Sequence, residues 1–236
     1  MNLDTFSNPN ELYLARQDEV NSNRPIFTGD VFREVAIPGV QDHGMALVVA
    51  HPCSFRIAGG QLADRLLLAR VDTITKQGAN AWRNRFSDRM PLTSLDGEGY
   101  WAARLDEIGR PLTSDLLASE RLACLSLFGI NMLQQRLTYY FSRAEIPTSM
   151  FNEAFSHTYE EADLLEDWSD ALVAAGWTQA MAATEFETFI RSGEPSLQSR
   201  LLDPQQRPSV RRTCRIEAAR LVRPAGIQRI SGTRRG

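Results

Sequence analysis

The sequence contains no run approaching 18 apolar residues, so no segment reads as a membrane-spanning helix. Its first residues, MNLDTFSNPNELYL, lack both a basic stretch and an apolar core, and a secretory signal is not expected. Cysteine is scarce. Cys53, Cys124 and Cys214 are odd in number and unrelated in spacing, which argues against a disulfide framework or a CxxC pair and suits a reducing, cytoplasmic setting. His43, His51 and His157 are scattered. His51 and Cys53 stand two apart, but two ligands without two more do not make a zinc site, so no metal or cofactor is expected. Lysine is almost absent: Lys76 is the single one among 26 basic residues. That bias suits GC-rich coding and is not by itself a sign of nucleic-acid binding. No complete catalytic signature is present.

What the sequence does have is enough apolar material for a core, 43% hydrophobic against 23% charged residues. Its 236 residues allow one large domain or one domain with an appendage. The net charge of −3 hides a strong segregation. Residues 147–203 carry eleven carboxylates against Arg191 and Arg200, and residues 204–236 carry nine arginines against Glu217. An acidic block followed by a basic one suggests either that the tail folds back on its neighbour or that it reaches for phosphate.

Along the chain, 1–24 reads as a lead-in with a short helix over 10–20 after Pro9. Short β signals follow at 26–35, 45–50 (MALVVA), 65–71 and 99–108, separated by Pro38-Gly39, Pro52, Gly59-Gly60 and the Gly-rich turn 96–99. No long helix separates them, which excludes a βαβ layout and favours a small, strongly bent barrel. Leucines then recur at helical spacing over 113–141, with Gly129 a point at which the helix kinks or splits. Further helices are expected over 159–175, capped by Gly176, over 178–190, and over 208–222, the last basic and amphipathic.

The order of elements over 27–143 resembles the MazF/PemK family of toxin endoribonucleases. Phe27-Thr28-Gly29-Asp30-Val31-Phe32 resembles that family's opening strand, and Ala46-Leu47-Val48-Val49-Ala50 the strand that follows. Stretches 66–71, 99–108 and 112–137 resemble its next strands and terminal helix. The resemblance implies an α+β fold with a small SH3-like β-barrel followed by a helical C-terminal region. The expected divisions are a lead-in, 1–24, a barrel with its terminal helix, 25–146, and a helical extension, 147–236. It also implies an edge-to-edge homodimer.

In that family an arginine just before the second strand stabilises the phosphorane, a task for which the planar guanidinium is suited. Gly44 and Met45 stand there instead, so the catalytic pattern is broken. His51 as base, Arg56 or Arg83 as phosphate clamp, and Thr73 as the assisting hydroxyl are the candidate replacements. Trp82, Arg83, Arg85 and Arg89, with Phe86, interleave aromatics and arginines as single-strand binders do, and Arg211, Arg212 and Arg215 add a basic tail.

Each has a plainer alternative: solvated loop arginines, Trp82 and Phe86 as a lid on the core, a structural His51, and a tail that neutralises the acidic helices. Glu160, Glu161, Asp163, Glu166, Asp167 and Asp170 read first as a solvated helix face. Three functions follow: an accessory module of a toxin–antitoxin or defence-type system that binds RNA, single-stranded DNA or a protein; a divergent metal-independent endoribonuclease; or an assembly protein docking through its helical half.

Overall fold

The computed structural model describes residues 2–55, 57, 62–97 and 99–192. The expected helix over 208–222 and the candidates Arg56, Arg211, Arg212 and Arg215 lie outside the described residues.

Seven strands form one antiparallel sheet: β1 (Tyr13–Arg16), β2 (Asp30–Phe32), β3 (Met45–Val48), β4 (Leu68–Thr73), β5 (Arg89–Pro91), β6 (Trp101–Gly109) and β7 (Arg121–Leu125). Their order is β1-β7-β2-β3-β4-β6-β5, so β1 and β5 are the edges. The two edges nevertheless meet. The Tyr13 hydroxyl donates to the Thr93 carbonyl at 3.0 Å, and Arg16 Nη1 donates to the Ser94 carbonyl at 2.6 Å. The sheet is thus curled into a half-barrel whose open seam is bridged by side chains. The three longest helices follow the strands, and the protein is α+β.

Two sequence expectations are corrected. Segment 10–20 is not a helix. Asn8 caps a single 3₁₀ turn, Pro9–Leu12, by accepting from the Asn10 amide, and the chain then extends as β1 so that Leu12 and Tyr13 enter the core. Segment 113–141 is not one helix either. It splits into α2 (Thr113–Leu117), strand β7 and α3 (Leu127–Ser142). Leu122, Ala123, Cys124 and Leu125 are all buried, and a run that is apolar on every side reads alike for a central strand and a buried helix. Ser126 makes the switch by accepting from the Gly129 amide at 3.1 Å as the N-cap of α3. Gly129 is there because a Cβ would stand 2.3 Å from the Leu12 carbonyl oxygen, so only a glycine lets the N-terminal turn lie against α3.

The short α1 (Ala79–Asn84) lies between β4 and β5. Arg136 of α3, fully buried, ties this region together. Its guanidinium donates to the carbonyls of Trp82, Phe86, Arg89 and Asp4 at 3.2–3.4 Å and sits 5.8 Å from the Trp82 ring. Burial pushes its pKa down to about 10, which leaves it cationic near neutrality.

The helical half is α4 (Asn152–Ala174) and α5 (Gln179–Ser192). Gly176, at φ +91°, turns the chain between them, with its amide donating to Val173 and the Trp177 amide to Leu172. Helix α4 packs on the sheet. Phe155 and Ala162 belong to the same core as the sheet, while Leu165, Trp168, Leu172 and Ala182 form a small second core with α5.

Candidate binding cleft

The expected catalytic residues do not converge. In the β3–β4 pairing, Val48 faces Leu68 and Met45 faces Val71. His51 therefore lies beyond one end of the pair and Thr73 at the other, about 17 Å of strand away. His51 has structural partners: its Nδ1 accepts from the Cys53 amide at 3.2 Å and its ring packs 5.0 Å from Phe155. Although exposed by area, the ring is desolvated enough on that side to hold its pKa below the ordinary value. Thr73 is exposed at the end of β4, opposite Trp101.

The aromatic and basic residues of 82–89 point in opposite directions. Trp82 is only 3% exposed, its ring 4.9 Å from Phe86 and beneath Arg136, so it caps the core and offers no stacking platform for a base. Arg83 and Arg85 are exposed on and just after α1. Arg89 is held between the Phe86 ring and Asp88.

A charged cluster that the sequence did not reveal lies on the outer sheet face. The β4–β6 pairing jumps from Ala69↔Ile108 to Val71↔Ala103, and the bulge brings Arg104, Asp106 and Glu107 beside Arg70 and Asp72. Arg70 bonds Asp72 at 2.8 Å and Glu107 at 3.0 Å, and Arg104 bonds Asp106 at 2.6 Å and Glu107 at 3.0 Å. These groups satisfy one another. Among the described residues no group of three or more His, Cys, Asp or Glu side chains is placed to hold a metal ion.

Among the described residues, one feature with capacity for a ligand is a cleft of about 680 Å³ between the sheet and the helical pair. One wall is the 22–27 segment with Pro52, Cys53, Phe55, Leu62, Leu117 and Arg121; the other is α4, from Thr158 to Ser169, and the start of α5. Most of its lining is apolar. Its shape comes from how α4 docks: Tyr159 packs edge-on to Phe27 at 6.0 Å, and Phe27 in turn meets Phe55 at 6.4 Å.

Arg24 fixes the polar end. It is 4% exposed, lies 5.2 Å from the Tyr159 ring, and donates to Asp163 and Glu166 at 2.6 Å each. Burial alone would lower its pKa, and the hydrogen bonds to Glu166 and Asp163 outweigh that, so it is raised. Asn21 and Asn23 both donate to Asp170. The acidic face of α4 is therefore not simply solvated, as its sequence suggested; one flank grips the lead-in segment. Behind the cleft, buried Asp30 accepts from the Phe27 amide at 2.9 Å and lies 3.5 Å from Arg121. Burial raises the Asp30 pKa against the opposing pull of Arg121.

The charge around the cleft is decided by these contacts. Of its lining residues Arg24, Arg121 and Glu161 carry charge; beside it on α4, Asp163 and Glu166 are paired with Arg24 and Asp170 accepts from Asn21 and Asn23, while Asp30 lies against Arg121. No described helix is long and apolar enough to cross a membrane. No protein-family model matches this sequence, and no curated protein matches it either.

Proposed function

We propose that this chain is a MazF/PemK-like, SH3-like barrel that has become a protein-binding module, an accessory of a toxin–antitoxin or defence-type system, without ribonuclease activity. The observation that carries the binding reading is the mostly apolar cleft between the sheet and the α4–α5 pair, which fits the apolar face of a segment of a partner protein. The lost activity is supported by Gly44 and Met45 where the family has its arginine, and by the separation of His51 from Thr73. Nucleic acid is the weaker ligand. Trp82 is buried, and the exposed arginines of that region, Arg83 and Arg85, are two. A homodimer through the sheet edges would use strands that Tyr13–Thr93 and Arg16–Ser94 already tie together.

Anisotropy titrations of labelled single-stranded RNA, single-stranded DNA and an arginine–leucine amphipathic peptide, run side by side in chelator, test this reading. Saturable binding of the peptide, with both nucleic acids intact and bound at least about tenfold more weakly near physiological salt, is expected. RNA cleavage abolished by His51→Ala, or nucleic-acid binding tighter than the peptide's and lost in Arg83→Ala/Arg85→Ala, would overturn it.

A further inference from the structure

A polar residue interrupts the apolar stripe of α4. Ala162, Leu165, Ser169 and Leu172 follow one another at steps of three, four and three, the spacing of one helical face, and all four are buried. The first three line the cleft. Ser169 is 6% exposed, and its hydroxyl has no hydrogen-bond partner among the described residues. The other hydroxyl and amide side chains of the lining are matched: Gln179 donates to Ser22, Asn23 to Asp170, and Thr158 to the Phe155 carbonyl. The Ser169 oxygen is not sealed inside the protein either, and it opens onto the cleft.

A buried polar group without a partner costs free energy, and that cost is recovered when an occupant supplies the missing bond. The occupant's group is uncharged. Arg24 is engaged by Asp163 and Glu166, Arg121 by Asp30, and Glu161 is not without a partner. A charged group entering this mostly apolar space would shed its hydration and meet no free counter-charge.

We propose that Ser169 sets the polar specificity of the cleft by pairing with a neutral side-chain amide, an asparagine or glutamine, carried within the apolar face of the partner segment. This rests on the cleft being the docking site for such a segment. An amide both donates and accepts, so it matches either orientation of the hydroxyl. A face that is apolar throughout covers the hydroxyl and leaves it without even water, so the cleft discriminates against it.

Calorimetric titrations test the pairing. The arginine–leucine peptide, and a set of variants in which each leucine in turn is replaced by glutamine, are titrated into the full-length protein and its Ser169→Ala variant. One glutamine peptide is expected to bind the native protein at least as tightly as the parent peptide, and to lose about fivefold in Ser169→Ala, where the parent loses nothing. Glutamine peptides that all bind more weakly than the parent, by the same factor in both proteins, overturn the pairing and leave the docking site standing. No binding by any peptide to either protein overturns the docking site and the pairing with it.

The free protein gives an independent reading. Alanine suits the interior of a helix and breaks no bond of an unpartnered hydroxyl, so the unfolding midpoint of Ser169→Ala should equal or exceed the native one. A lower midpoint would reveal a partner for the hydroxyl inside the chain and overturn the proposal.

Discussion

The Tyr13 hydroxyl, on one edge of the sheet, donates to the carbonyl of Thr93, just beyond the other edge, at 3.0 Å and out of contact with water. This bond and its neighbour, Arg16 to Ser94, bridge the seam of the half-barrel where no backbone ladder does. Tyr13→Phe keeps the ring and orphans the carbonyl. A loss of about 1–2 kcal/mol is expected from urea unfolding midpoints, with faster amide exchange concentrated in β1 and around 89–94. A loss spread evenly over the sheet would contradict a role at the seam.

Gly129→Ala sets two effects against each other. Helix propensity favours alanine by about 1 kcal/mol. The added Cβ would meet the Leu12 carbonyl, a backbone atom held by the 3₁₀ turn and β1. The steric term wins, and a net destabilisation of about 1–3 kcal/mol is expected in thermal or urea unfolding. A stabilised variant would show that the turn yields easily.

The strands β2, β3, β4 and β6 and the helices α4 and α5 were legible in the sequence, because their apolar runs are bounded by glycine, proline or a cap. Strand β7 was not. Leu122 to Leu125 is buried throughout, and no periodicity distinguishes such a strand from a helix when leucines precede and follow it at helical spacing. Strand β1 was hidden because it gains its partners from β7, far along the chain, with Tyr13 opposite Leu125 and Arg16 opposite Ala123. The cleft was illegible for a related reason. It exists because Arg24, in an unremarkable stretch of the lead-in, pairs across to Asp163 and Glu166, and no local pattern announces that contact.

Asp30 and Arg121 form a buried pair behind the cleft, with Asp30 1% exposed. Asp30→Asn leaves the Arg121 charge without its counter-ion and gives the Phe27 amide a poorer acceptor. A destabilisation of about 3 kcal/mol is expected from chemical unfolding. The double variant Asp30→Asn/Arg121→Met should recover part of that loss, and strict additivity of the two changes would show that they do not interact.

Asp4 gives the fold an acid-sensitive contact. Burial alone would raise its pKa, but the amide and hydroxyl of Thr148, with help from Gln135, hold it below the ordinary 3.8. A depressed folded-state value means that its stabilisation is complete above the unfolded value near 3.8 and disappears as pH falls through the lower folded value. Asp4→Asn should cost about 2 kcal/mol at pH 7, and the gap from the native protein should narrow below pH 3.8. Unfolding curves at pH 7 and pH 3 measure it; a gap that stays constant would contradict the ionised contact.

Leu117 offers the most direct approach to the cleft, since it lines the wall yet is 61% exposed, so replacing it leaves the core intact. Calorimetric titration of the arginine–leucine peptide into the full-length protein and its Leu117→Arg variant is the decisive measurement. One-to-one binding that weakens at least about tenfold in the variant is the expected result. Equal affinity for both proteins, or no binding to either, would contradict a docking site in the α4–α5 cleft.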